Sequence, residues 1–302
     1  MGDKVYCEDC KKGEEAMSLE FVSAEPQHVD AIGRICFEAF KEVQEGHGFS
    51  PDFPSIELAR QVLGMMVQRD DFYGVVALRD GQPVGSNFLS LMDLVAGVGP
   101  ITIDSSCQGE GVGRALMQDV IDYARRNNIE QVRLLQDSFN VASLSLYASL
   151  GFDVKEAVVF MQATAVAEAD PHVRIVAEAD LPAIEELSKR IYKNSRCNEV
   201  AAAAPYGFVA FLREQQGRIT GYLIPGIFGH GIAETEDDAL ALISEAARRV
   251  APPFARFFCP LSQASFFRRA IKAGCRTIKV MNYMTLGPYE PPDKVWMPSV
   301  LC

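Results

Sequence analysis

The sequence predicts an α/β protein built on a mixed sheet, and three observations lead there. β-branched runs alternate with amphipathic segments of helical period along most of the chain. The stretch ITIDSSCQGEGVGRALMQDVI, residues 101–121, joins a strand-like run to a helix-like one through a junction almost bare of side chains. From Val173 the same grammar of strand, helix, strand pair, helix, strand and helix begins again. At 302 residues, 48% hydrophobic and 23% charged, the chain is long enough for two cores.

The elements follow in order. The first sixteen or so residues carry charge without periodicity, which predicts a disordered tail over 1–17. LEFVSA from Leu19 reads as a strand and Pro26–Phe40 as a helix. EGHGFSPDFPS then forms a loop carrying Phe49 and Phe53, before a second helix over Ile56–Gln68. FYGVVALRDGQPVGSNFLSL reads as a hairpin turning at Asp80–Gly81. Val98, Ile101 and Ile103 make a short β-type run, whereas Val112, Leu116, Met117, Val120, Ile121 and Ala124 recur at helical spacing. Arg125–Asn128 suits the C-terminus of that helix, and Val132–Leu135 reads as the next strand.

Gly109, Gly111 and Gly113 thus lie where a strand feeds a helix. Glycine lets backbone N–H groups approach a ligand closely, and the helix start adds the positive end of its dipole, so the loop can cradle a phosphate. A Walker loop would need Gly-Lys-Ser/Thr, but Arg114 and Ala115 follow Gly113. The dinucleotide fingerprint Gly-x-Gly-x-x-Gly is not matched either. A glycine-rich turn without a ligand is the alternative that these residues alone leave open.

A second motif follows after the next strand. NVASLSLYASLGF, Asn140 to Phe152, together with Gln108, Gly111 and Gly113, resembles the GNAT superfamily of acyl-CoA-dependent N-acyltransferases. That family's pyrophosphate loop reads Gln/Arg-x-x-Gly-x-Gly/Ala, and a later signature places an Asn ahead of Leu-Tyr-x3-Gly-Phe. The resemblance covers Leu19 to Gln162. It implies a GNAT-like fold with splayed central strands in a first domain at 18–165. It implies acetyl-CoA as co-substrate, with Gln108, Gly109, Glu110, Gly111, Val112, Gly113 and Arg114 at the pyrophosphate. The Ile101, Thr102 and Ile103 backbone and Asn140 would meet pantetheine, Tyr147 would be the general acid, and Phe49 and Phe53 would border the acceptor. An amine would attack the thioester directly in a ternary complex.

Read without the family, Asn140 or Ser138 can cap a helix that stops at Gly151, and Tyr147 can be a core aromatic. Phe49 and Phe53 can equally tuck into the core. The base that takes the amine proton is left open among Asp93, Asp104 and Asp137, with Asp104 equally suited to ordering the loop.

The segment 171–302 reads as a degenerate second GNAT-like domain in tandem, with an extended end, PYEPPDKVWMPSVLC. Its GIFGHGIAET keeps Gly226, Gly229 and Gly231 without the cradle spacing, and Ala270, Ile271 and Gly274-Cys275 stand where the first copy has its Leu-Tyr-x3-Gly-Phe. A single active site is therefore expected, with the second copy packing against the first and walling the acceptor site.

Charge and cysteines narrow the partners. Through residue 165 there are 13 Lys and Arg against 25 Asp and Glu, a net of −12, and beyond it 16 against 15, a net of +1, so the acidic excess behind the whole chain's −11 belongs to the motif-bearing half. Nucleic acid is disfavoured and a small cationic amine favoured. A non-catalytic acyl-CoA sensor and a protein or peptide N-acetyltransferase remain alternatives. No apolar run approaches the roughly twenty residues of a membrane span, and the charged start is no signal peptide, so a cytoplasmic monomer or homodimer is expected. Eight widely spaced cysteines suggest reduced thiols. Cys7 and Cys10 form a CxxC, but no second pair or histidines at ligand spacing accompany it, so no metal is expected. Cys107 is read as a loop residue, since no His close in sequence would activate it.

Overall fold

The computed structural model describes residues 19–165 and 168–301. The expected tail and the Cys7/Cys10 pair lie outside them. In chain order the elements are β1 (Leu19–Ser23), α1 (Val29–Gly46), α2 (Ile56–Val67), β2 (Phe72–Arg79), β3 (Gln82–Ser90), β4 (Val95–Val98), β5 (Thr102–Ile103), α3 (Val112–Arg126), β6 (Gln131–Asp137), α4 (Val141–Ser149) and β7 (Asp153–Gln162). There follow β8 (Val173–Ile175), α5 (Leu181–Tyr192), α6 (Cys197–Ala203), β9 (Phe211–Gln215), β10 (Arg218–Leu223), β11 (Gly231–Ala233), α7 (Glu236–Arg249), β12 (Arg256–Pro260), α8 (Ala264–Lys272), β13 (Arg276–Leu286) and β14 (Val295–Met297).

The chain forms two compact units, and the division does not fall at residues 165–171. One unit runs to Ser90 and adds Val98–Asn127; the other holds Leu91–Gly97 and everything from Asn128 onward. In the first, β1, β2 and β3 form an antiparallel meander, and β5 pairs with β3 at Gly85 and Ser86. The β2–β3 turn at Asp80 and Gly81 has positive φ at both residues, 50° and 76°, the backbone that a tight hairpin demands. Helix α3 buries Val112, Leu116, Met117, Val120, Ile121 and Ala124, the stripe expected from its period. Helix α1 reaches Gly46, six residues beyond the expected Phe40.

The reason for the unexpected boundary lies in the second unit. Strand β13, from the C-terminal half of the chain, lies antiparallel between β6 and β7 of the N-terminal half, and β12 pairs with the other edge of β7. Met281 and Tyr283 of β13 join Val158, Phe160 and Phe258 in one buried cluster, so both halves fill the same core. Strand β4 runs parallel to β6 only over Val95–Gly97. The remaining strands, in the order β14-β11-β10-β9-β8, make a separate five-stranded sheet. The proline-rich C-terminal segment supplies β14, whose Trp296 is buried.

Candidate active site

In the first unit, the glycine loop is ordered from its start. The Asp104 carboxylate accepts from the Ser106 hydroxyl at 2.7 Å and the Ser106 N–H at 3.1 Å, with Arg34 at 3.6 Å. These bonds, the hydroxyl's first, hold Asp104 below the ordinary carboxylate range, which makes it a loop-ordering residue. Gln108 is exposed, and Gly109 and Gly111 take φ of 80° and 86°, the left-handed region that a Cβ disfavours. A Cβ built on either would meet nothing within 4 Å, so the space above the loop is open. Gly111 begins α3 with no side-chain cap and no acidic residue in the first turn. The first N–H groups of any α-helix lack intrahelical acceptors, so this turn can serve an anion. Glu110 pairs with Arg79, Val112 is buried and anchors the helix start, and Arg114 is exposed. Gly113 lies inside the first turn of α3. Beside the loop, the Thr102–Ile103 strand is bonded on one edge, to β3, and Ile101 precedes it.

The loop with Phe49 and Phe53 also belongs to the first unit. Gln44, fully buried, accepts at its side chain from the Asp52 N–H at 2.6 Å and at its carbonyl from the Phe49 N–H at 2.9 Å. Phe53 is 7% exposed and meets Phe40 edge-on at 5.5 Å, whereas Phe49 is half-buried.

Asn140 and Tyr147 lie in the second unit. Asn140 caps α4, its side chain accepting from the Ser143 N–H at 3.2 Å. Tyr147 is 7% exposed beside Phe152, and Gly151 at φ 96° ends the turn that follows. Burial, then the charge of Asp137, pushes the Tyr147 phenol above its ordinary range, so it stays protonated at neutral pH and retains a proton to give.

Of the carboxylates left open as a base, Asp137 is paired with the buried Lys279 at 2.8 Å. Asp93 is half-buried and accepts long bonds from the Asn198 and Glu199 N–H groups at 3.4 and 3.3 Å. Burial and then the neighbouring Glu199 raise Asp93 to about 6. Glu199 itself is buried with Arg196 and with His230 at 2.9 Å; burial alone would raise it, but those two partners hold it down to about 2. Sequence reasoning missed this cluster, whose local trace is an Arg and a Glu three apart at 196 and 199. Among the described residues no group of three His, Cys, Asp or Glu is arranged to hold a metal ion, and no helix is long and apolar enough to cross a membrane. The described cysteines are free thiols, and Cys107 is buried.

Residues 36–152 match the acetyltransferase (GNAT) family model, a span that contains both the loop and the α4 motif. This span thus resembles a GNAT acetyltransferase domain. The chain's mixed α/β architecture is that of solved GNAT-fold structures. A candidate acetyltransferase from Pyrococcus horikoshii superposes with a TM-score of 0.76 over 98% of this chain and 99% of its own, at 15% identity. A GCN5-related N-acetyltransferase from Sphaerobacter thermophilus gives 0.58 over 91% and 97%, at 17% identity. In sequence, the chain is similar to an uncharacterized N-acetyltransferase of Methanocaldococcus jannaschii, 31% identical over 107 residues, 33% of this chain and 47% of that protein. It is also similar to the mycothiol acetyltransferase of Renibacterium salmoninarum, 40% identical over 58 residues, 19% of this chain and 16% of that one. The chain thus spans about half or less of the length of these relatives.

Proposed function

We propose that the protein transfers an acetyl group from acetyl-CoA to a small cationic amine. The observation that carries this reading is the start of α3: Gly111 in the left-handed region, no side-chain cap, no acid in the first turn and open space above. In this reading the Gln108–Arg114 amides hold the diphosphate, and the edge of β5 pairs with pantetheine as an added strand does. The Asn140 side chain adds a contact to pantetheine. Tyr147 protonates the departing thiolate, while positioning supplies the attack of the neutral amine on the thioester. The acidic excess of the motif-bearing half attracts a cation and raises its local concentration, an effect that salt screens over about 10 Å at 0.1 M ionic strength.

The experiment is a turnover panel of polyamines, aminosugars, basic amino acids and peptides with acetyl-CoA at several salt concentrations. The reading expects transfer to a small cationic amine with kcat/KM falling as salt rises. Transfer confined to neutral or acidic amines without salt dependence contradicts the choice of acceptor, and preference for peptides moves it to a protein acceptor. The burial of Tyr147 supports a second reading, an acyl-CoA sensor in which that residue only packs. Tight acetyl-CoA binding without turnover on any amine would favour it.

A further inference from the structure

The turn between β6 and α4 carries Asn140 and leads to Tyr147, yet much of what holds it comes from a strand far away in sequence. The Lys279 ammonium, 4% exposed, reaches the Asp137 carboxylate at 2.8 Å, across 142 positions of sequence. The Val280 carbonyl accepts from the Ser138 N–H at 3.1 Å and the Ser138 hydroxyl at 2.8 Å. The Asn282 amide donates to the Gln136 side-chain oxygen at 2.8 Å. The Gln136 amide nitrogen in turn donates to the Asn140 carbonyl at 2.6 Å and the Ser143 hydroxyl at 3.0 Å, inside the first turn of α4. The register makes these contacts consistent, since Met281 faces Asp137 and Asn282 faces Gln136 along the β13–β6 ladder.

A buried carboxylate needs a partner, and a buried amide whose oxygen and nitrogen are both used fixes the groups it joins. Lys279, Val280 and Asn282 of β13 therefore grip one five-residue turn: Lys279 its charge, Val280 its backbone and Asn282 its link to the helix. We propose that β13 is the positioning element for α4, with Lys279 and Asn282 as positioning residues for Asn140 and Tyr147. The C-terminal half then contributes to the reaction of the GNAT domain without a second active site. This rests on the roles proposed above for Asn140 and Tyr147, so its test includes a readout that needs no turnover.

Asn282→Ala, Lys279→Met, Lys279→Arg and the milder Ser138→Ala, all in the full chain, are compared by hydrogen exchange, by binding of acetyl-CoA and of ADP, and by steady-state kinetics. ADP carries the diphosphate without pantetheine. Asn282→Ala is expected to speed exchange of the 140–147 amides while leaving 105–126 unchanged. It should weaken acetyl-CoA about two- to tenfold, the range of one hydrogen bond, with ADP unaffected. It should lower kcat about tenfold or more, as misplacement of a positioned group does. Lys279→Met should lose more and Lys279→Arg recover most of it; Ser138→Ala should shift the same readouts less, and answers the question if Lys279→Met does not fold. Wild-type exchange at 140–147 together with wild-type kcat and acetyl-CoA affinity in Asn282→Ala and Ser138→Ala overturns the proposal. Faster exchange at α4 in a protein whose wild type turns over no amine leaves the positioning role standing and overturns the functional reading instead.

Discussion

Helices α3 and α7 each follow a short strand, and their first turns are built for opposite purposes. At α3, Gly111 caps nothing and leaves the leading amides without a side-chain acceptor. At α7, the Thr235 hydroxyl accepts from the Asp238 N–H at 3.1 Å, and the Asp238 carboxylate accepts from the Thr235 N–H at 3.1 Å, a reciprocal capping box. Glu236, Asp237 and Asp238 also place three acidic residues in that turn, where α3 has none. One amide that an anion would use is thus occupied, and the three carboxylates oppose a second negative charge there. The glycines differ as well: Gly109 and Gly111 face open space, whereas a Cβ on Gly229 would strike the Ile224 carbonyl and one on Gly231 the Tyr222 carbonyl at 2.7 Å. One set serves a left-handed loop and the other close backbone packing. Helices α4 and α8 continue the contrast. Each is followed by a left-handed glycine, Gly151 at φ 96° and Gly274 at φ 92°, yet four residues earlier one has Tyr147 and the other Ala270. A capped, acidic helix start and an alanine in place of the phenol identify the half that should neither bind the anion nor protonate a leaving group.

The sharpest way to break this contrast is Tyr147→Phe. It should lower kcat about ten- to ten-thousand-fold, the span expected for a lost general acid, with acetyl-CoA affinity nearly unchanged. An unchanged rate in the folded variant returns Tyr147 to the core.

Asp238→Ala tests the other side. It removes the carboxylate half of the α7 capping box and the bonds from Thr220 at 2.6 Å and from Arg213. It should cost about 2–3 kcal/mol by denaturant unfolding, and acetyl-CoA should still bind once per chain. Appearance of a second site would mean that the Asp238 carboxylate alone had silenced that half.

A smaller effect concerns Asp93. Its folded-state value of about 6 lies above the ordinary 3.8, so the proton favours the folded state below pH 4 and this contribution fades as pH rises through 6. The melting temperature of Asp93→Asn relative to the wild type should therefore climb by a few degrees between pH 4 and pH 7. A difference that stays flat with pH would show that the carboxyl is not perturbed.

Local chemistry made much of this readable in advance. The Asp80–Gly81 turn, the apolar stripe of α3 and the Gly151 stop each follow from residues within a few positions of one another. Strand β13 was not expected, because RTIKVMNYMTL reveals nothing of its insertion between β6 and β7, and that insertion is what displaces the boundary of the compact units. Helix α6 was missed because seven residues hold too little periodicity. In the candidate site, the loop glycines were visible from spacing alone, and the alternative role of Asn140 as a cap is present in the structure. The Lys279–Asp137 pair was out of reach, since no local pattern joins residues 142 positions apart.

Calorimetric titration of the full chain with acetyl-CoA tests the central claim most directly, with Gly111→Val beside the wild type. The account predicts one site per chain, weakened about a hundredfold or more in the variant, because a β-branched residue at φ 86° is strained and fills the space above the loop. Two sites per chain, or wild-type affinity in Gly111→Val, would contradict it.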